Sequence, residues 1–184
     1  MHRKIQPWPV VSEEKVANLK LFTALRQKVK HPERGDLLDI VVLSGNDSVN
    51  VVAVTPERQV LITRQYRFGI GAYMPELPGG MVDDGEDHLQ AARRELLEET
   101  GYSAPTWHYL GCVASNPVFM DSWVHHYLAL DAKPTTTQNL EPAEDISLLT
   151  VSLDQLKHML QNGDFLHPHS VSGVVRSLLF LQAF

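Results

Sequence analysis

An α/β fold is predicted from three features of the sequence. Runs of β-branched and apolar residues recur before and after one central segment, that segment is built from strong helix formers, and two more helical patterns close the chain. With 184 residues and 43% hydrophobic composition, the chain suits one globular domain with a sizeable core.

Residues 1–20 begin polar, with Trp8 between Pro7 and Pro9 and then Ser12-Glu13-Glu14-Lys15, which predicts an irregular lead-in. Leu19 to Lys30 alternates loosely, and Leu37 to Leu43 is β-branched and apolar. The turn-forming His31-Pro32-Glu33-Arg34-Gly35-Asp36 between them predicts a hairpin. Val49 to Val54 and Gln59 to Gln65 read as two more strands, joined at Thr55-Pro56-Glu57-Arg58 with Pro56 where a turn needs φ near −65°. Beyond the central helix, Trp107 to Ala114 and Trp123 to Leu130 read as strands around the loop Ser115 to Asp121. Lys133 to Asp145 is polar and Pro-bearing, hence a mobile loop, and Ile146 to Val151 returns to strand. Ser152-Leu153-Asp154-Gln155 is a capping-box pattern that opens a helix to about Leu160. Val171 to Ala183 reads as the last helix.

Composition narrows the function. A net charge of −6 and a pI near 5.8 argue against a protein that tracks a nucleic-acid backbone, which needs a basic stripe. Residues 1–20 lack an apolar run with a cleavage site, and no segment approaches the roughly 18 apolar residues of a membrane span. The single Cys112 excludes an internal disulfide framework and fits a reducing compartment, so a cytoplasmic protein without membrane partners is expected. Nine His residues are scattered without zinc-type spacing and read as surface or core positions.

The stretch from Gly80 to Tyr102 is the most informative. Its later part is rich in Ala, Leu, Arg, Gln and Glu, and Gly101 supplies the residue expected just past a helix C-terminus. On a wheel of about 100° per residue, Glu95, Glu98 and Glu99 stand at i, i+3 and i+4 and share one face. Leu89, Ala92 and Leu96 form the adjoining apolar stripe, which would hold those carboxylates at the edge of a core. Like charges at this spacing, near the negative end of the helix dipole, destabilise the helix. A divalent cation reverses that sign, and carboxylates suit Mg²⁺ or Mn²⁺. Arg94 precedes Glu98 by four residues and can hold it in one rotamer. Taken alone, such a helix is more often an ordinary solvated charged face.

Spacing distinguishes the two. Gly80, Glu86, Arg94-Glu95, Leu96, Glu98-Glu99 and Gly101 fall, without a gap, on the pattern of the Nudix box, which the chain resembles; Tyr102 stands where an aliphatic residue is usual. The resemblance implies a Nudix-type α/β/α sandwich, a mixed sheet between helical layers, preceded by an N-terminal strand extension. It reaches beyond the box. Gln65-Tyr66-Arg67, then Pro75-Glu76-Leu77-Pro78-Gly79-Gly80, and Pro117 sixteen residues past Gly101, are similar to the ADP-ribose pyrophosphatase and nucleoside-diphosphate-sugar hydrolase branch. That branch is commonly homodimeric through N-terminal strands, which makes residues 1–45 the extension and 46–184 the hydrolase domain.

By the same resemblance, Glu95, Glu99 and the Gly79 carbonyl bind metal, and Glu98 binds or bridges a second ion. Arg67 would hold phosphate or the terminal sugar, with a surface ion pair as the plainer alternative. Glu76 would lie near substrate or partner a nearby Arg. The branch takes its base from an acidic loop ending Glu-Asp-Ile. Here Pro142 stands where some members carry an additional glutamate, which leaves the base with Glu144 or, failing that, Glu141. A nucleobase needs a flat apolar partner, and Trp8 and Phe22 are candidates, though either could simply be packing. The activity implied is Mg²⁺-dependent addition of water to the pyrophosphate of an ADP-ribose-like nucleotide sugar. A triphosphate or dinucleoside-polyphosphate hydrolase would share the box with less reason for Pro117 and Gln65-Tyr66-Arg67. A non-enzymatic nucleotide-sugar sensor could discard its metal glutamates, and all of them are present.

Overall fold

Three antiparallel strands open the chain: β1 (Val10–Asn18), β2 (Thr23–Lys30) and β3 (Leu37–Ser44), in that spatial order. The computed structural model describes residues 6–142 and 144–182, and these strands lie in the smaller of its two units, which holds the described residues up to Asn46 together with Ala114–Ser122. The expected β2–β3 hairpin forms, and its turn closes on His31, whose Nδ1 accepts the Glu33 and Arg34 N–H groups, both at 3.1 Å.

The irregular lead-in is corrected for Val10–Asn18, which is a strand paired along its length with β2; Met1 to Ile5 lie outside the described residues. The register shifts between Val10 and Ser12 and again between Lys15 and Ala17. Each irregularity moves the following side chains to the other face, so the period-2 pattern that announces a strand is broken twice. Gln27 Nε2 donating to Glu13 Oε2 at 2.8 Å accompanies this pairing.

The larger unit, Asp47–Val113 with Trp123 onward, is built on a six-stranded sheet. Its strands are β4 (Ser48–Val54), β5 (Gln59–Arg67), β6 (Ala72–Glu76), β8 (Thr106–Ala114), β9 (Trp123–Leu130) and β11 (Ile146–Ser152), while β7 (Tyr102–Ser103) pairs separately with β10 (Lys133–Pro134). The order is β11-β5-β4-β9-β8, with β6 added to β5. β4 runs parallel to β9 and antiparallel to β5, so the sheet is mixed. β6 has no alternating signature and contains Pro75, which cannot donate to a ladder; it survives because it pairs on one side only.

Alternation along the central strands sorts the core into two layers. Val49, Val51, Ala53 and Leu61 pack under the helix α1 (His88–Thr100) against Ala92 and Leu96. Val52, Val54 and Ile62 point the other way, against Leu156 of α2 (Leu153–Asn162) and Val174 and Leu178 of α3 (Pro168–Phe180). A sheet buried on both faces explains why these strands read as nearly unbroken apolar runs. α2 opens on the expected capping box, Ser152 with Gln155. α3 begins at Pro168 rather than at Val171, because proline is well placed in a first turn where its missing N–H costs nothing, and it ends at Phe180, short of the expected Ala183, which lies outside the described residues. No helix among the described residues is long and apolar enough to cross a membrane.

Candidate active site

α1 places the acidic residues. Asp87 accepts the Leu89 N–H at 2.9 Å and starts the helix, and Gly101, at φ 74°, ends it with its N–H on the Leu97 carbonyl. The last carbonyls of a helix lack internal partners, and here a distant loop supplies them. Asn139 N–H donates to the Glu98 carbonyl at 2.8 Å, Gln138 Nε2 to that of Glu99 at 2.6 Å, and the Thr135 and Thr136 N–H groups to that of Gly101. The segment expected as a mobile loop is thus tied to the end of α1, and this attachment carries Glu144 toward the helix.

Two of the three helix carboxylates are sequestered. Glu95 is 8% and Glu99 4% exposed, whereas Glu98 lies further out. Burial pushes Glu95 up to about 7, with Arg94 opposing, and Glu99 up to about 8, with the Gly79 N–H, which donates to its Oε2 at 2.8 Å, opposing. Glu144 adds to both shifts and also acts electrostatically on Arg67, so its charge faces this same group of residues.

Arg94 is the hub. It donates to Glu86 at 3.1 and 2.9 Å, to Glu95 at 2.8 Å, to Glu98 at 3.2 Å and to the Met81 carbonyl at 2.9 Å. These carboxylates hold the guanidinium far above its ordinary pKa, and Arg94 in turn draws the loop before α1 onto the helix. Two glycines allow the close approach. Gly79 has φ 154°, a region open only to glycine, and a Cβ there would stand 2.1 Å from the Val49 carbonyl oxygen. A Cβ on Gly80 would meet the Glu95 carboxylate at 2.5 Å. Gly80→Ala is therefore expected to displace that carboxylate and lower activity by about tenfold with a nearly unchanged melting temperature. Steady-state rates beside a thermal melt check this.

These residues fit a divalent cation. Two buried carboxylates without full charge compensation, one on a backbone N–H and one on an arginine, form a hard-oxygen donor set. Among the described residues no group of three or more His, Cys, Asp or Glu is gathered tightly enough to enclose an ion by itself. The raised pKa values carry a stability consequence. Both groups favour the protonated form in the fold, so their contribution is complete below the ordinary carboxylate range and is lost as pH rises through about 7 and 8. The melting temperature of the chelated protein is expected to fall between pH 6 and 9, and excess divalent cation to flatten that fall; differential scanning fluorimetry reads both.

The other site candidates divide between the units. Arg67 and Glu76 form a two-pronged pair, Nε to Oε1 at 2.8 Å and Nη2 to Oε2 at 2.7 Å. Trp8, Phe22 and Pro117 belong to the smaller unit. Trp8 tilts onto His31 at 4.7 Å and stays 43% exposed, Phe22 packs on Gly45, and Pro117 begins an exposed turn after Asn116. Sequence reasoning did not identify Glu86 as the main partner of Arg94, His167 beside Glu76, or the Tyr73 hydroxyl bonded to Asp145. Glu86 was within reach of the box spacing; the other two join distant segments and left no local signal.

Known proteins resemble this chain over most of its length. A family model described as the NUDIX domain matches residues 46–170. The chain is 31% identical over 134 residues to a methanol dehydrogenase activator of Bacillus methanolicus, covering 72% of this chain and 65% of that protein, slightly under two thirds of its length. It is 27% identical to the ADP-ribose pyrophosphatase of Bacillus subtilis (strain 168), covering 83% of this chain and 82% of that one. It is 25% identical to the ADP compounds hydrolase NudE of Escherichia coli (strain K12), covering 95% and 93% respectively. A crystal structure of an ADP compounds hydrolase superposes with a TM-score of 0.86 at 24% identity, over 98% of this chain and 97% of that one, and shares its fold. The chain belongs to the Nudix family.

Proposed function

We propose that this protein hydrolyses the pyrophosphate of an ADP-ribose-like nucleotide sugar to a nucleoside monophosphate and a sugar phosphate, using Mg²⁺, with Mn²⁺ able to replace it. The observation that carries the reading is the pair of buried carboxylates, Glu95 and Glu99, held beside the Gly79 turn with Arg94 bracing one of them. Nudix hydrolases work with divalent cations. Glu95, Glu99 and the Gly79 carbonyl would hold the cation here, and Glu98 would hold or bridge a second. When bound, the cation supplies positive charge that neutralises the phosphate oxygens and favours attack by water.

The chain's own residues do the rest. Arg94 fixes Glu95 and Glu98, and Arg67 presents its outer N–H groups to phosphate or to the terminal sugar. Glu144 takes the proton of the attacking water. The oxygen of that water bonds to one phosphorus, the bond from that phosphorus to the bridging oxygen breaks, and the bridging oxygen leaves with the other phosphate. Trp8 and Phe22 are the aromatic faces we assign to the nucleobase, Trp8 being the more open, and Pro117 belongs to the same assignment. We further propose a cytoplasmic homodimer formed through the N-terminal strands, with residues 1–45 as the extension. The exposed apolar side chains Val11, Leu37 and Val41 on those strands support it. Sedimentation of the full chain should read twice the monomer mass, and an active monomer would overturn the pairing.

The function is tested with ADP-ribose, ADP-glucose, GDP-mannose, UDP-glucose and a dNTP, each with Mg²⁺ and with chelator. Turnover highest on ADP-ribose and abolished by chelator supports the reading. A clear preference for the dNTP would move the protein to the triphosphate class, and binding of nucleotide sugar without turnover would make it a sensor.

A further inference from the structure

We propose that His167, at the start of α3, is a positioning residue for substrate. Through the buried Glu76 carboxylate it holds the Arg67 guanidinium with its outer N–H edge free for the pyrophosphate. The inference deepens the function proposed above and rests on its reading of Arg67 as a phosphate-binding group.

Glu76 is 1% exposed, and Arg67 engages both of its oxygens. This side-on fork uses the Nε–H and one Nη2–H, two of the five hydrogens a guanidinium carries. Both hydrogens on Nη1 and the second on Nη2 remain, on a side chain that is 41% exposed. An anion can therefore bind Arg67 bidentately without displacing Glu76. The arrangement works only while Glu76 stays in one place, because a carboxylate so deeply buried has no water to turn to.

His167 approaches the same carboxylate oxygen that Arg67 Nη2 engages. Its Nδ1 lies 3.4 Å from Glu76 Oε2 and 3.4 Å from Ser170 Oγ. Ser170 Oγ accepts the N–H of Leu77, the residue after Glu76, at 3.2 Å, so the start of α3 meets the last residue of β6 and the one that follows it. The local sequence explains the aim of the ring. Pro168 occupies the first turn of the helix, which keeps His167 extended at φ −81° and ψ 114°. His167 occupies the N-cap position yet makes no side-chain capping bond, so its imidazole meets Glu76 and the Ser170 hydroxyl rather than the backbone N–H groups of the helix. Burial lowers its pKa while Glu76 opposes, so a neutral ring donating through Nδ1 suits a place beside Arg67. His169 packs edge-on against it at 4.9 Å.

The test uses His167→Leu, which fills the space without a donor, and His167→Ala should the leucine not be accommodated. Two quantities are read: solvent exchange of the Arg67 Nε–H in proton–nitrogen spectra, assigned by its loss in Arg67→Lys, and steady-state kinetics on ADP-ribose. We expect exchange to accelerate by about tenfold or more, and KM to rise about tenfold while kcat changes less than about threefold. A change confined to packing would leave both the exchange rate and KM in place, and that outcome overturns the proposal. So does a fall in kcat with KM constant. If the wild-type protein does not act on ADP-ribose, the functional reading fails, while the exchange rate still decides whether His167 holds the Arg67–Glu76 pair.

Discussion

Replacing Glu99 by Gln is expected to lower turnover at least ~100-fold while leaving the fold intact, because one ligand's charge leaves a site where it stabilises the transition state by several kcal/mol. The substitution keeps shape and volume, and the amide oxygen can still accept the Gly79 N–H that Glu99 accepts at 2.8 Å. What it removes is a buried negative charge that burial and neighbouring Glu95 both disfavour. Without metal, the variant should therefore melt no lower than the wild type, and at pH 8 it should melt higher. Loss of rate with retained or increased stability separates a ligand role from a structural one. Near-wild-type turnover at saturating Mg²⁺ would sink the assignment of this carboxylate.

The second large effect is expected at the base. Glu144 and Glu141 close a small turn, the Glu141 N–H donating to Glu144 Oε2 at 2.9 Å and the Glu144 N–H to the Glu141 carbonyl at 2.9 Å. Ala143, between Pro142 and Glu144, lies outside the described residues. Glu144 is the member of the pair whose charge acts on Glu95, Glu99 and Arg67. Only its Oε2 is engaged by Glu141, so the carboxylate keeps lone pairs with which to take a proton from the attacking water. Losing a general base typically costs about 10² to 10⁴ in rate, whereas losing a solvated loop carboxylate should cost almost nothing. Glu144→Gln is expected to reduce kcat by about 100-fold or more with KM little changed, and Glu141→Gln to have a smaller effect. The reverse ranking would show that the register across Pro142 was misassigned. If both variants were silent, the proton would pass to the helix glutamates.

Much of the site was legible because its determinants are local. The carboxylates of α1 lie within one and a half turns, and Asp87 and Gly101 mark the helix ends with their own chemistry. The core strands were legible because burial on both faces leaves them apolar throughout. β1 was hidden by two register irregularities and β6 by Pro75. Partnerships across the chain left no pattern at all. The bond from Gln138 to the Glu99 carbonyl, which attaches the Glu144 loop to the helix, and the approach of His167 to Glu76 depend on where β11 and α3 lie in the folded unit. The helix rule of four pointed Arg94 to Glu98, yet shorter bonds go to Glu95 beside it and to Glu86 in the preceding loop.

The most direct test of the account is to identify the products of ADP-ribose incubated with the protein and Mg²⁺. Addition of one water across the phosphoric anhydride must give AMP and ribose 5-phosphate in equal amounts, with no product in the presence of chelator. Release of ADP and free ribose, or of inorganic phosphate, would place the broken bond elsewhere and contradict the assignment of Glu95, Glu99 and Glu144 to pyrophosphate hydrolysis.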